Sequence, residues 1–342
     1  MKPNWHLLAG MRFFLATVVM FSHTKYNLEW DYLASIGTYF GAFTAVLSFM
    51  LISGYSIAHS ISVQPKGFYM RRFARLAPTY YLCLLLAVVT YGLFSYFTEP
   101  GAVERPKTTG DLLSWASAIF MLGGVVSLGP PLIQPAWTLG AEICYYAVAP
   151  LLLRLRRLHM VAVAAVSVLL YLYIGAQWGN AFSLWPGAMT IISLFWAWLA
   201  GWLLYRHREN PLCWVGLVAV LGLAGGAPDS FANGNLLIMS ATGAVLILGH
   251  MVELSHKARR VSAYLGELSF PLYLCHIPAF HLSHFLAHKG ILPNNGLVSV
   301  LFAFFCAIFV ARMVRVCDLA WRRLEQRARA EVPMPVQQLT SH

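Results

Sequence analysis

Apolar residues in this chain do not alternate with polar ones but gather in long runs. Runs of spanning length fall near 7–27, 37–59, 77–97, 111–128, 137–154, 159–177, 185–205, 212–227, 235–252, 265–287 and 296–317. A transmembrane helix needs about 20 mostly apolar residues, so the pattern predicts an all-α, polytopic membrane helix bundle. The first run is followed by no small-residue cleavage site and reads as the first span rather than a signal peptide.

The charges between the runs correct the count. If all eleven crossed in strict alternation, Arg154, Arg156 and Arg157 would face the side opposite Lys66, Arg71, Arg72 and Arg75. Basic residues concentrate on the cytoplasmic side of membrane proteins. A single net crossing over 111–154 restores the asymmetry. Gly123-Gly124 and Pro130-Pro131 suit a broken or re-entrant segment from Gly123 to Pro135. With both termini cytoplasmic, twenty basic residues then lie inside, and only Lys25, Arg105, Lys107 and Lys289 lie outside. The expectation is about ten net crossings. No internal repeat is visible, and the connection at 98–110 is too short for a domain. Residues 1–320 form one membrane domain, and 321–342, with Pro333 and Pro335, read as a polar, partly disordered cytoplasmic tail.

Composition agrees. Of 342 residues, 59% are hydrophobic and 11% charged, against about 25% charged in soluble domains; the mean hydropathy is +0.64. The net charge of +11 would suggest nucleic acid in a soluble protein. Here no basic groove with interleaved aromatic residues exists, so membrane lipids are the expected partner and nucleic acid is not. The six cysteines lie scattered in apolar runs without a CxxC pair and read as small buried side chains. His281, His284 and His288 have a spacing that could form a metal face, but no nearby carboxylate or cysteine completes it. They read as outer-interface residues, and no metal is expected.

Ionisable residues within spans are costly and mark candidate sites. Arg12 and His23 share the first span. Eleven steps of about 100° return them to within ~20° of one face, with a rise of roughly 16 Å. An arginine snorkelling to the headgroups and a histidine at the outer boundary would give the same spacing. Glu142 is the only acidic residue well inside an apolar run, and Tyr145 and Tyr146, three and four residues on, can share its face. A buried carboxylate needs a partner, so a structural ion pair and a role at a site both remain open. Arg71, Arg72 and Arg75, at the mouth of a helix, either set orientation against anionic lipid or hold a phosphorylated ligand. Pro271 and Pro278, flanking Tyr273 and His276, suggest a bent helix beside a polar cavity.

In this order, the four stretches resemble the acyltransferase 3 family of bacterial inner-membrane O-acyltransferases, over about residues 7–317. Arg12 and His23 match the family's Arg, ten residues, His hallmark. Trp137, Leu139, Glu142, Tyr145, Tyr146, Pro150 and Leu151 are similar to its Trp-Ser-Leu-x-x-Glu stretch with following aromatic residues and Pro-Leu. Arg71, Arg72 and Arg75 resemble its basic run. Ser269, Phe270, Tyr273, His276 and Pro278 resemble its late Ser-Tyr-x-x-Tyr-x-x-His-x-Pro stretch. Ala9, Phe13, Thr138 and Ile143 depart from the common pattern and read as subgroup differences.

The resemblance implies a multi-pass enzyme of the bacterial inner membrane. It would move a short acyl group, acetyl first among them, from cytoplasmic acyl-CoA to a hydroxyl of a surface glycan or lipid-linked saccharide. His23, Arg12 and Glu142 are then the catalytic candidates, with His23 as general base because histidine titrates near neutrality. Arg71, Arg72 and Arg75 are candidates for the acetyl-CoA phosphates. Trp137, Tyr145, Tyr146, Tyr273 and His276 are candidates for substrate contact, and a tyrosine hydroxyl, the Trp137 N–H or Arg12 for the oxyanion. Two other classes compete. A transporter or exporter of a lipid-linked sugar would use the same Arg, His and Glu as a coupling relay, and a scaffold would leave their placement unexplained.

Overall fold

The computed structural model describes residues 2–24, 31–97, 112–127, 132–178, 187–210 and 235–331. The predicted span at 212–227, Lys25, Arg105, Lys107 and Pro130-Pro131 lie outside the described residues. Within them the chain is helical: α1 (Trp5–Ser22), α2 (Asp31–Phe40), α3 (Ala42–Val63), α4 (Phe68–Phe97), α5 (Leu112–Ile119), α6 (Trp137–Leu152), α7 (Arg157–Trp178), α8 (Gly187–His207), α9 (Asn235–Leu248), α10 (His256–His288) and α11 (Gly296–Glu331). Five are long and apolar enough to cross a membrane: Trp5–Ser22, Ala42–Val63, and the stretches Phe68–Phe94, Arg157–Ile174 and Gly296–Ala320 of α4, α7 and α11.

Several boundaries differ from the apolar runs: α4 and α10 each begin nine residues before the runs at 77–97 and 265–287. The run at 37–59 contains the end of one helix and most of the next, because Gly41 takes a left-handed φ of 73° between α2 and α3. Helix α11 continues to Glu331, into the segment read as a polar tail.

Side-chain bonds tie the helix ends into two layers. Asn4 donates its amide to the carbonyls of Gly249 and Val252, joining the start of α1 to the turn between α9 and α10. Arg206 donates to the Leu152 carbonyl, Tyr69 donates to that of Ala147, and His59 bonds the Tyr205 hydroxyl. The basic residues at the starts of α4, α7 and α10 and at the end of α8 therefore share one end of the bundle. At the other, Lys289 donates to the Phe97 carbonyl.

Between helices the bundle relies on close backbone approach. A Cβ on Gly54 of α3 would lie 1.8 Å from the Trp198 carbonyl oxygen, and one on Gly201 of α8 would lie 1.9 Å from that of Leu51. Small residues let membrane helices pack this closely, since lipid offers no hydrophobic drive for their association. Trp198 and Trp202 fill the adjoining core, stacked at 5.4 Å.

From Phe120 to Ile133 the described backbone leaves α-helical geometry. Inside a bilayer such backbone is tolerated only where protein satisfies its polar groups. Here Tyr80 and Tyr81 of α4 donate to the carbonyls of Ala118 and Ile119, the last residues of α5. The Gly124 amide donates to the Ser127 carbonyl, and Ser117 and Ser127 join hydroxyls at 2.7 Å. The turn packs on α6 so tightly that a Cβ on Gly124 would sit 2.6 Å from the Trp137 carbonyl oxygen. This break fixes where α6 begins, and thereby the depth of Thr138, Glu142 and Tyr146.

Candidate active site

Helices α1, α3, α4, α6, α10 and α11 enclose a cavity of about 680 Å³. At the basic end its wall carries Trp5, Arg72, Arg75, Glu267, Arg315 and Asp318. Further in lie Arg12, Ser53, Ser56, Glu142 and Tyr146, and its deep wall includes Phe49, Thr138 and Tyr273. Along α10 the lining runs from Ala263 to Tyr273, ten residues or roughly 15 Å, so the cavity is a shaft rather than a surface dish.

Arg12 is held from α3: its Nη2 donates to the Ser56 Oγ at 2.8 Å, and Ser56 donates in turn to the Ile52 carbonyl. One bond occupies one of five guanidinium N–H donors. Glu142 is held by hydroxyls. Tyr146 donates to its Oε1 at 2.5 Å, and Ser53 donates to the same oxygen. Among the described residues Glu142 has no ion pair within the distance of a direct contact. Arg12, Arg72 and Arg75 nevertheless line the same cavity as this carboxylate, so Glu142 faces an excess of positive charge across open space.

Deeper still, Thr138 donates to the Pro135 carbonyl at 3.1 Å and meets the Tyr273 hydroxyl at 2.9 Å. Because the single hydroxyl hydrogen of Thr138 goes to Pro135, Tyr273 is the donor of that pair and keeps acceptor capacity toward the cavity.

His23 and His276 do not line the cavity. His276 lies one turn beyond Tyr273 on α10, about 4.5 Å of rise, and is fully buried. Its Nε2 stands 3.1 Å from the His23 Nδ1, with ring centroids 5.1 Å apart. Each ring is anchored by a backbone carbonyl of its own helix: His23 Nδ1 at 2.9 Å from Val19 O, and His276 Nδ1 at 3.0 Å from Leu272 O. The first anchor has a local cause. The last turn of α1 tightens so that the His23 amide bonds Met20 O, which frees Val19 O for side chains.

The other sequence-predicted residues divide. Arg72 and Arg75 face the cavity, whereas Arg71 turns back and donates both Nη groups to the carbonyls of Lys66 and Gln64 in the turn between α3 and α4. Tyr146 faces the cavity. Tyr145 points to α8, donating to the Ile191 carbonyl at 2.7 Å among Phe195 and Trp198. Trp137 opens α6 and is half-buried outside the cavity lining. Sequence reasoning missed Ser53 and Ser56. Their signal was present: two hydroxyls three residues apart, hence on one helix face, inside a mostly apolar run.

The fold and this polar shaft define a helical bundle of membrane type with a charged interior. Residues 5–314 match the acyltransferase 3 family, described as an acyltransferase domain. The chain belongs to that family. It is also similar to the acyltransferase MdmB of Streptomyces mycarofaciens, at 26% identity over 323 aligned positions covering 81% of this chain and 79% of that protein. No solved structure matches the chain. These matches make the chain an enzyme that transfers acyl groups, built on apolar helices.

Proposed function

We propose that the chain is a multi-pass protein of the bacterial inner membrane, with about ten net crossings and its basic end in the cytoplasm. It would transfer a short acyl group, acetyl first, from acyl-CoA to a hydroxyl of a surface glycan or lipid-linked saccharide. One observation carries the reading: a single cavity joins Arg72 and Arg75 at the basic end to Arg12 and Glu142 inside the bundle. Anionic CoA belongs at such an end, where arginines form charge-assisted bonds to phosphate. The thin pantetheine arm then extends past Arg12 toward Tyr273, whose hydroxyl accepts an amide hydrogen.

In the reaction the acceptor oxygen attacks the thioester carbonyl, forming the ester C–O bond and breaking the C–S bond. His23 takes the hydroxyl proton and returns it to the departing CoA sulfur. Arg12 or a cavity hydroxyl stabilises the oxyanion. The deep wall at Thr138 and Tyr273 separates the open shaft from the histidine pair, so the acyl-loaded enzyme opens that wall by side-chain rotation. The test is purified protein with acetyl-CoA labelled in the acetyl group and a panel of glycans. Label in an ester on a glycan supports the reading. Uptake of unmodified saccharide into proteoliposomes, with no ester formed, would replace it with transport.

A further inference from the structure

Histidine 276 reads from sequence as a substrate contact, yet it is fully buried and outside the cavity. Its polar neighbours among the described residues are the Leu272 carbonyl, the backbone of Tyr273 and the ring of His23. Two neutral imidazoles have one N–H each. A carbonyl oxygen 3.0 Å from the His276 Nδ1 needs a hydrogen between them, so that N–H is on Nδ1 and the His276 Nε2 carries a lone pair. The Val19 carbonyl at 2.9 Å likewise places the hydrogen of His23 on Nδ1. The His23 Nδ1–H is then shared between Val19 O and the His276 Nε2 at 3.1 Å. No other neutral assignment avoids setting a lone pair against a carbonyl.

From this network we infer that His276 is a positioning residue for His23, a second acceptor beside Val19 O for the His23 Nδ1–H, which holds the ring with its basic lone pair on Nε2. The inference rests on the proposed role of His23 as the base. When the His23 Nε2 takes the acceptor hydroxyl proton, the ring becomes an imidazolium whose Nδ1–H bonds to Val19 O and to the neutral His276. Hydrogen bonds to a charged donor are the stronger kind. The proton leaves again from Nε2 to the thiolate of CoA, so His276 neither gains nor loses a proton over the cycle. The two helices are brought together for this purpose by close packing one end away: a Cβ on Gly266 of α10 would meet the Ala9 Cβ of α1 at 2.5 Å.

The test uses the full chain in detergent or nanodiscs, with His276→Leu to remove the acceptor and His276→Gln to replace it with an amide oxygen. For His276→Leu, kcat for acyl transfer should fall about 10- to 100-fold, the range of a lost hydrogen bond to a charged group. KM for acyl-CoA and for the glycan should stay within about twofold on the same grounds. His276→Gln should recover most of the loss. Independently of turnover, ¹⁵N spectra of histidine-labelled protein should show His23 protonated at Nδ1 in the wild type, assigned by the signal missing from His23→Gln. Equal loss in the Leu and Gln variants, a change confined to KM for the glycan, or an Nε2–H tautomer at His23 would overturn the inference. If the wild type transfers no acyl group, the proposed function falls, and the ¹⁵N spectrum still decides the pairing.

Discussion

Tyr146 donates its hydroxyl to Oε1 of Glu142 across 2.5 Å, one helical turn along α6, and Ser53 of α3 donates to the same oxygen. The carboxylate is thus fixed by neutral donors while the arginines of the cavity wall remain available to an anionic ligand. Removing the acceptor leaves two hydroxyls in a protein interior without it, at about 1–3 kcal/mol. Glu142→Ala should therefore lower the thermal midpoint of the purified protein and its activity together. Ser53→Ala, which removes one donor, should cost about 1 kcal/mol. An unchanged midpoint in Glu142→Ala would show that this carboxylate is not held as described.

Adjacent arginines are predicted to behave differently. Arg72→Gln and Arg75→Gln, both on the cavity wall, should each raise KM for acyl-CoA, with kcat little changed, because they remove charge from donor binding. Arg71→Gln should leave that KM alone and destabilise the turn between α3 and α4, whose carbonyls it holds. Steady-state kinetics on the three variants read this directly. A larger KM effect at Arg71 would reverse the assignment.

The contact of α3 with α8 should tolerate no side chain at its two glycines. Gly54→Ala or Gly201→Ala drives a Cβ into a carbonyl oxygen, and overpacking of a well-filled core costs about 1–3 kcal/mol. Size-exclusion and thermal unfolding of each variant should show loss of stability, whereas Ala at Gly92, where a Cβ meets nothing within 4 Å, should not.

At the cavity mouth Arg315 of α11 bonds Glu267 of α10 at 2.7 Å, with the side chains 55% and 53% exposed. Exposed pairs contribute about 0–1 kcal/mol and are screened by salt. Glu267→Gln should leave the thermal midpoint within about 2 °C, a small shift on that scale. By freeing Arg315 beside Arg72 and Arg75, it should lower KM for acyl-CoA at low ionic strength. Raising the salt should abolish the difference.

How far the sequence reaches can be judged from particular residues. Apolar run length located the helices, since the demand for internally satisfied backbone leaves membrane-type chains few options. The pairing of polar side chains across helices was a different matter. Tyr145 and Tyr146 were equivalent by spacing, and only the position of α8 sends one to Ile191 and leaves the other on Glu142. Arg71 and Arg72 are neighbours in a basic run, but a turn five to seven residues upstream captures one. From sequence Glu142 stays open between a structural ion pair and a role at a site, and its partners are two hydroxyls, one from a serine that no ionisable-residue search would have flagged. The pairing of His23 with His276, 253 residues apart in sequence, depends wholly on how α1 packs against α10.

The most direct test of the account is acyl transfer by His23→Ala and Arg12→Ala, each shown to be folded by size-exclusion and thermal unfolding. Labelled acetyl-CoA and an acceptor identified with the wild type provide the assay. The account predicts a loss of about 10²–10⁴-fold for His23→Ala, the usual contribution of a positioned base, and loss of transfer in Arg12→Ala. Near-normal ester formation by folded His23→Ala would contradict it.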